Sequence, residues 1–345
     1  MAQTFGPGCR SSGYPGERIK IDGARVVVVY LYGVRTRPLG KTGLDVSELS
    51  LGTWGLSGDG YGMVPADEAD RTIDRAVEAG ITLFDTADVY GGGAMETRLG
   101  QRLTKEALIC TKIGTDLEQK PPRKVFTPKY LRVAFERSRE RIAREKIDIV
   151  LLHNPTMAAL GSGEAVGFIK GLKEQGSIGL WGVSVGSVEV AREAITRGAD
   201  VIELVYNVVF ASDLHELAAD ISEAGTGVLA RSTLAHGLLA GQWSADREFA
   251  PGDHRADRWK KDELRRRISH IESLRPMVSG PVASLRSAAL RFVLSNQIVS
   301  SAVLGPRSVF QLNQLITDAG EGPPYLRDTA LAALSNRLKS VGVLA

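Results

Sequence analysis

From about residue 48 onward the chain repeats one alternation. A short run of β-branched and other apolar residues is followed by a charged stretch whose apolar positions recur every three to four residues. The first pattern suits a strand buried on both faces, the second an amphipathic helix. Strands are expected at 48–53, 82–85, 107–112, 147–153, 178–184, 201–206, 227–231 and 299–304. Helical spacing is found in stretches such as 66–79, 128–144, 187–197 and 282–295, with 308–318 after the last strand. Short strands alternating with helices imply parallel pairing through right-handed crossovers. Eight of them in one domain-length of chain favour an α/β fold of the closed (β/α)8 barrel type over an open doubly wound sheet.

Two regions break the rhythm. Residues 1–35 are punctuated by Gly6, Pro7, Gly8, Gly13, Pro15 and Gly16 before a run of four valines. They are expected to form a loose extension with one possible strand and no functional content, leaving 36–345 as a single barrel domain. Residues 232–262 are mostly polar, with Trp243, Pro251 and Trp259 and no convincing strand. A loop that long on a compact domain is usually functional, often a lid.

Composition narrows the partners. The chain has 345 residues, 43% of them apolar and 24% charged, in the ordinary globular range. A net charge of +3 is too small to imply nucleic acid or an anionic membrane. The apolar run from Val26 to Tyr32 is too short for a bilayer and lacks the small-residue cleavage site of a signal peptide. Two cysteines, Cys9 and Cys110, cannot build a disulfide framework and point to a reducing, cytoplasmic compartment. His215, His236, His254 and His270 show no metal-ligand spacing and read as surface residues, so no metal is expected. The glycines at 91–93, 225 and 227 lack the strand–glycines–helix context of a dinucleotide-binding βαβ unit. Oligomeric state is not legible, and a homo-oligomer stays open.

In such a barrel the active site gathers at the C-terminal ends of the strands. Asp85 closes the second expected strand, Lys112 the third and His153 the fourth, with Tyr90 in the loop after the second. A phenol ionises near pH ~10 and is a poor acid unless a cation stabilises its phenolate. A lysine beside it supplies the cation, an aspartate holds that lysine, and a histidine opposite can orient a substrate oxygen. Alone, each has a plainer reading: a snorkelling lysine, a packing tyrosine, a capping aspartate, a core histidine. Four on successive strand ends are harder to dismiss.

At this point a resemblance emerges. Phe-Asp-Thr-Ala-Asp-Val-Tyr-Gly-Gly-Gly-Ala-Met-Glu-Thr-Arg-Leu-Gly at 84–100 resembles the signature of the aldo-keto reductases. Arg37 to Gly43 and Leu51 to Trp54 are similar to that family's N-terminal hairpin and first strand. Thr111-Lys112, Leu152-His153, Gly182 to Ser184, Tyr206-Asn207 and Leu234 to Gly241 follow in order, so the likeness spans about residues 36–340. The resemblance implies a (β/α)8 barrel with an N-terminal β-hairpin and a C-terminal helix. It implies reduction of an aldehyde or ketone with NADP(H), with Tyr90 as general acid, Asp85 and Lys112 tuning it, and His153 positioning the carbonyl.

By the same resemblance, cofactor contacts fall to Thr53, Trp54, Ser184, Glu203 and Arg231 around the nicotinamide. Ser232, Leu234, Gly237 and Leu238 would hold pyrophosphate, and Gly305, Arg307 and Gln311 the 2′-phosphate and adenine, where a helix N-terminus and an arginine suit phosphate. The small-molecule carbonyl would meet Trp54, Tyr61, Met63 and the 232–262 loop. The chain departs from the family pattern where Glu203 replaces a glutamine, Arg231 an aromatic, and Gln314 and Leu315 a Glu-Asn pair. Glu203 and Arg231, on adjacent strands, are expected to form an ion pair. The other reading carried by the resemblance is an NADPH-binding regulatory barrel of the potassium-channel β-subunit type. A phosphate-binding barrel isomerase would leave Tyr90, Lys112 and Asp85 without a purpose.

Overall fold

The computed structural model describes Cys9–Ser11, Glu17–Asp22, Arg25–Tyr30 and residues 34–272 and 274–340. Eight strands form the barrel: β1 (Leu49–Gly52), β2 (Leu83–Asp85), β3 (Leu108–Ile113), β4 (Ile147–His153), β5 (Ile178–Ser184), β6 (Val201–Val205), β7 (Gly227–Arg231) and β8 (Ser301–Leu304). Each pairs in parallel with its neighbours in sequence, and β8 closes on β1.

Outside them lie α1 (Ala66–Glu78), α2 (Ala94–Arg102), α3 (Pro128–Ile142), α4 (Glu164–Glu174), α5 (Val188–Thr196), α6 (Ala218–Ala224), α7 (Leu285–Ser295) and α8 (Val309–Ala319), with α9 (Asp328–Ser340) last. Side-chain oxygens of Thr127, Ser187, Ser284 and Ser308 accept the backbone N–H three residues on and start α3, α5, α7 and α8. Each such cap is worth about 1 kcal/mol.

Strand periodicity sorts the side chains into two cores. Phe84, Ile109, Val150, Trp181, Ile202 and Val228 point outward and pack with the helices. Leu83, Cys110, Ile149, Leu151, Leu180, Val201, Leu229 and Val303 point inward and fill the lower barrel. A hairpin of Thr36–Pro38 and Asp45–Ser47 supplies Leu39 and Val46 to that inner cluster and plugs its N-terminal end. The apolar floor excludes water beneath the layer of residues next above it.

The extension differs from expectation. Cys9–Ser11, Glu17–Asp22 and Arg25–Tyr30 form a three-stranded antiparallel sheet, where one strand is expected. Within the excursion after β7, Arg255–Arg258 and Lys261–Glu272 are helical, and Trp259, Leu264 and Ile271 pack on Leu238, Leu239 and Leu285. No helix among the described residues is long and apolar enough to cross a membrane.

Candidate active site

The period of two that aims Leu83, Cys110, Leu151 and Leu229 inward also aims the next inward positions: Asp85, Lys112, His153 and Arg231. Ser184 and Glu203 are paired inward positions on β5 and β6, Glu203 lying opposite Leu229. A charged layer therefore sits directly on an apolar floor.

Lys112 is the centre of this layer and is 1% exposed. Its ammonium donates to Asp85 Oδ2 at 2.5 Å and to the Thr86 carbonyl at 3.0 Å, and lies 3.3 Å from Glu203 Oε2. Burial opposes its charge, but the Asp85 and Glu203 carboxylates outweigh burial and hold the pKa well above the lysine range. Burial, then repulsion from Glu203, pushes the Asp85 carboxyl up to about 7 against the pull of Lys112.

Tyr90 stands over this cluster, its ring centroid 5.6 Å from Lys112 Nζ. Burial raises its phenol above the ordinary value, Lys112 pulls it down, and Asp85 and Glu203 push it further up. The Tyr90 phenol is therefore protonated throughout the neutral range. His153 faces it edge-on, ring centroids 6.2 Å apart. Burial, helped by Lys124, Lys112 and Arg231, drops the imidazole well below its usual pKa and keeps it neutral. After Tyr90 the chain turns sharply through Gly91, Gly92 and Gly93, at φ +61°, +63° and +96°. Side chains rarely adopt that region, and a Cβ on Gly93 would meet the Arg141 guanidinium at 2.3 Å.

Asp85, Tyr90 and His153 line a cavity of about 930 Å³ at the barrel mouth. Of the residues expected around it, Trp54, Tyr61, Ser184, Glu203, Arg231, Ser232, Leu234, Gly237, Gly305, Arg307 and Gln311 all line it with Asp85, Tyr90 and His153. Ser232, Ala235, His236 and Gly237 all have positive φ, an unusual local run in which the Ala235 and Gly237 N–H groups donate to the Ser232 and Leu234 carbonyls. Arg247, Arg255, Arg258 and Arg286 line the cavity besides Arg307.

Several expectations are corrected. Glu203 and Arg231 do not pair: the register sets Glu203 opposite Leu229 and Arg231 opposite Val205, two residues higher. Two residues of strand separate their levels by about 7 Å. Glu203 turns to Lys112, while Arg231 donates to the Val185 carbonyl at 3.0 Å. Met63 is 84% exposed and lies outside the cavity. Leu238 is buried in the core of the excursion, and Thr53 is buried behind the wall, its hydroxyl bonded to the Asp85 carbonyl. Two of the histidines read as surface belong to the site region: His236 lines the cavity, and His254 packs 4.7 Å from the rings of both Trp54 and Tyr61. The sequence reading also passed over the other arginines that line the cavity. Their signal was Arg247, Arg255 and Arg258 recurring within a segment already suspected to be a lid.

The residues expected to bind a nicotinamide dinucleotide are consistent with one. The cavity is lined by several arginines, and two buried atoms of its lining residues, Arg231 Nε and His153 Nδ1, have no hydrogen-bond partner.

Comparison with known proteins agrees with this arrangement. The chain is 27% identical over 301 residues to the L-galactose dehydrogenase of Arabidopsis thaliana, covering 84% of this chain and 89% of that one. It is also 27% identical to an NADH-specific methylglyoxal reductase of Escherichia coli strain K12, over 80% of this chain and 91% of the relative. The glycerol dehydrogenase of Gluconobacter oxydans superposes with a TM-score of 0.78 at 25% identity, covering 91% and 98% of the two chains. An aldo-keto reductase of Bacillus halodurans in its holo form superposes at 0.74, covering 88% and 96%, with 23% identity, a likeness of fold. The sequence profile of the Aldo/keto reductase family matches residues 48–319, the span of the barrel, and the chain belongs to that family.

Proposed function

We propose that this oxidoreductase reduces an aldehyde or ketone to the alcohol with NADPH, Tyr90 giving the proton. The observation that carries the reading is the buried Asp85–Lys112 pair beside Tyr90, with neutral His153 facing that tyrosine in the cavity. A bound reduced nicotinamide supplies the hydride. As the carbonyl carbon gains that hydride, the C=O π pair moves onto oxygen, and Tyr90 Oη delivers its proton there. The developing alkoxide is more basic than a phenolate, so even a phenol raised by burial donates downhill. Lys112 stabilises the tyrosinate left behind, and His153 orients the carbonyl oxygen.

For the cofactor, Arg307 and Gln311 at the start of α8, with Arg255 also lining the cavity, suit a 2′-phosphate in register and charge. One relative is named NADH-specific, so this preference needs direct measurement. Relatives named as dehydrogenases and reductases do not favour a regulatory-subunit role. The aromatic wall of Trp54 and Tyr61, and relatives named for L-galactose and methylglyoxal, point to a small, sugar-derived carbonyl. Two cysteines in the whole chain, with Cys110 buried, suit a cytoplasmic setting. The test is NADPH oxidation across aldehydes, diketones and sugars with Tyr90→Phe as control. Cofactor turnover unaffected by that substitution would overturn the reading.

A further inference from the structure

We propose that Glu203 is a positioning residue for the proton donor: its carboxylate shares the Lys112 ammonium with Asp85 and so withholds part of that cation from Tyr90. This rests on the reading that Tyr90 is the acid.

An ammonium has three N–H groups. Lys112 spends one on Asp85 Oδ2 at 2.5 Å and one on the Thr86 carbonyl at 3.0 Å. Beyond these bonds the ammonium faces Glu203 Oε2, an ion-pair contact at 3.3 Å, and Tyr90, whose ring centre is 5.6 Å away. Glu203 is 2% exposed and comes from β6, across the barrel from β2 and β3. Its reach to Lys112 closes a buried Asp85–Lys112–Glu203 clamp, two acidic side chains on one ammonium. Where the family pattern has a neutral glutamine, this chain places an acidic side chain in a buried layer, where screening of charge is weak.

The groups facing Tyr90 and Lys112 are Asp85 from β2, Cys110 from β3, His153 from β4, Glu203 from β6 and Arg231 from β7, with Lys124 acting on His153. His153 is neutral and Cys110 is a buried thiol raised by burial, so neither offsets Glu203. Arg231 partly does. The clamp therefore keeps Tyr90 protonated to higher pH than a single carboxylate would. Carbonyl reduction, which needs the phenol, keeps its rate into the alkaline range. Alcohol oxidation, which needs the tyrosinate as base, is held back near neutrality. The overall equilibrium belongs to substrate and cofactor, so the effect falls on the pH range in which each direction runs.

Glu203→Gln removes the charge and little else. Ionisation of Tyr90 is read without turnover as the tyrosinate absorbance difference between each protein and its Tyr90→Phe counterpart. The expected result is a shift to lower pH by about one unit in Glu203→Gln, with Glu203→Asp staying near the parent. In turnover, the alkaline limb of reduction should move the same way, and oxidation near neutral pH should gain about tenfold relative to reduction. An unmoved tyrosine titration, or both directions falling equally with unchanged pH profiles, would overturn the proposal and leave Glu203 a packing or cofactor contact. If Tyr90→Phe retains turnover, the acid assignment fails instead, and the absorbance titration still reports whether Glu203 acts on Tyr90.

Discussion

The Tyr61 hydroxyl lies 3.0 Å from His236 Nδ1, tying the loop after β1 to the loop after β7 across the cavity. Burial pushes Tyr61 up to about 12 and His236 down to about 3, so the bond joins two neutral groups throughout the working pH range. A second tie runs beside it, where the His254 N–H donates to the Gly60 carbonyl at 3.0 Å. Together they make a strap between the two loops.

Tyr61→Phe should loosen that strap. A lost neutral hydrogen bond is worth about 1 kcal/mol, or roughly fivefold in an equilibrium constant. NADPH should bind about fivefold more weakly by fluorescence titration, with its release faster and its association little changed. An unaltered dissociation rate would show that the strap does not restrain the cofactor.

Acid stability carries the same signature. The folded pKa of His236, about 3, lies below the ordinary 6.5 of an unfolded histidine. The stability it contributes is full above about 6.5 and is lost progressively as pH falls toward 3. Thermal unfolding of the parent should weaken over that window more steeply than that of His236→Gln, whose constant offset for the lost hydrogen bond is visible at neutral pH. Parallel Tm–pH curves would refute the assignment.

Tyr90→Phe should leave NADPH binding intact and lower the reduction rate at least ~10²-fold, the usual scale of general acid catalysis. Rapid-mixing measurement of the hydride-transfer step on the best substrate from the screen separates this from slow product release. Near-parent hydride transfer would remove Tyr90 from the chemistry.

Arg307 spends one guanidinium nitrogen on the Gly62 and Met63 carbonyls, and its Nε is buried without a partner. Charge-assisted contacts to phosphate are worth about 1.5–3 kcal/mol each. Arg307→Ala should weaken NADPH by roughly ten- to a hundredfold and NADH far less. Equal losses in the two titrations would show that Arg307 does not read the 2′-phosphate.

Because Glu203 is committed to Lys112, nothing on β6 neutralises Arg231. Its guanidinium faces the cavity where the ring of the cofactor is proposed to lie, and that ring is cationic only when oxidised. Repulsion at contact distance runs ~1–4 kcal/mol depending on effective dielectric. NADPH should bind tighter than NADP+, and Arg231→Tyr should narrow the gap. An unchanged ratio of the two dissociation constants would place Arg231 away from the ring.

What the sequence determined by itself is what depends on local periodicity and chain order. Alternation of apolar runs with helical spacing located all eight barrel strands to within about two residues at each end. Inward positions follow at every second residue, so Asp85, Lys112 and His153 could be set on strand ends, and Tyr90 just beyond one, before any tertiary contact was known. Side-chain partners across the barrel are another matter. Whether Glu203 meets Arg231 or Lys112 turns on a register offset of two residues between β6 and β7, and no property of either strand alone specifies that offset. Met63, Thr53 and Leu238 stand beside true lining residues in sequence, yet the turns of their loops direct them to solvent or into the core. The strap of Tyr61, His236 and His254 joins residues some 175 to 193 positions apart, which become neighbours only when the barrel closes and brings its first and seventh loops to one mouth.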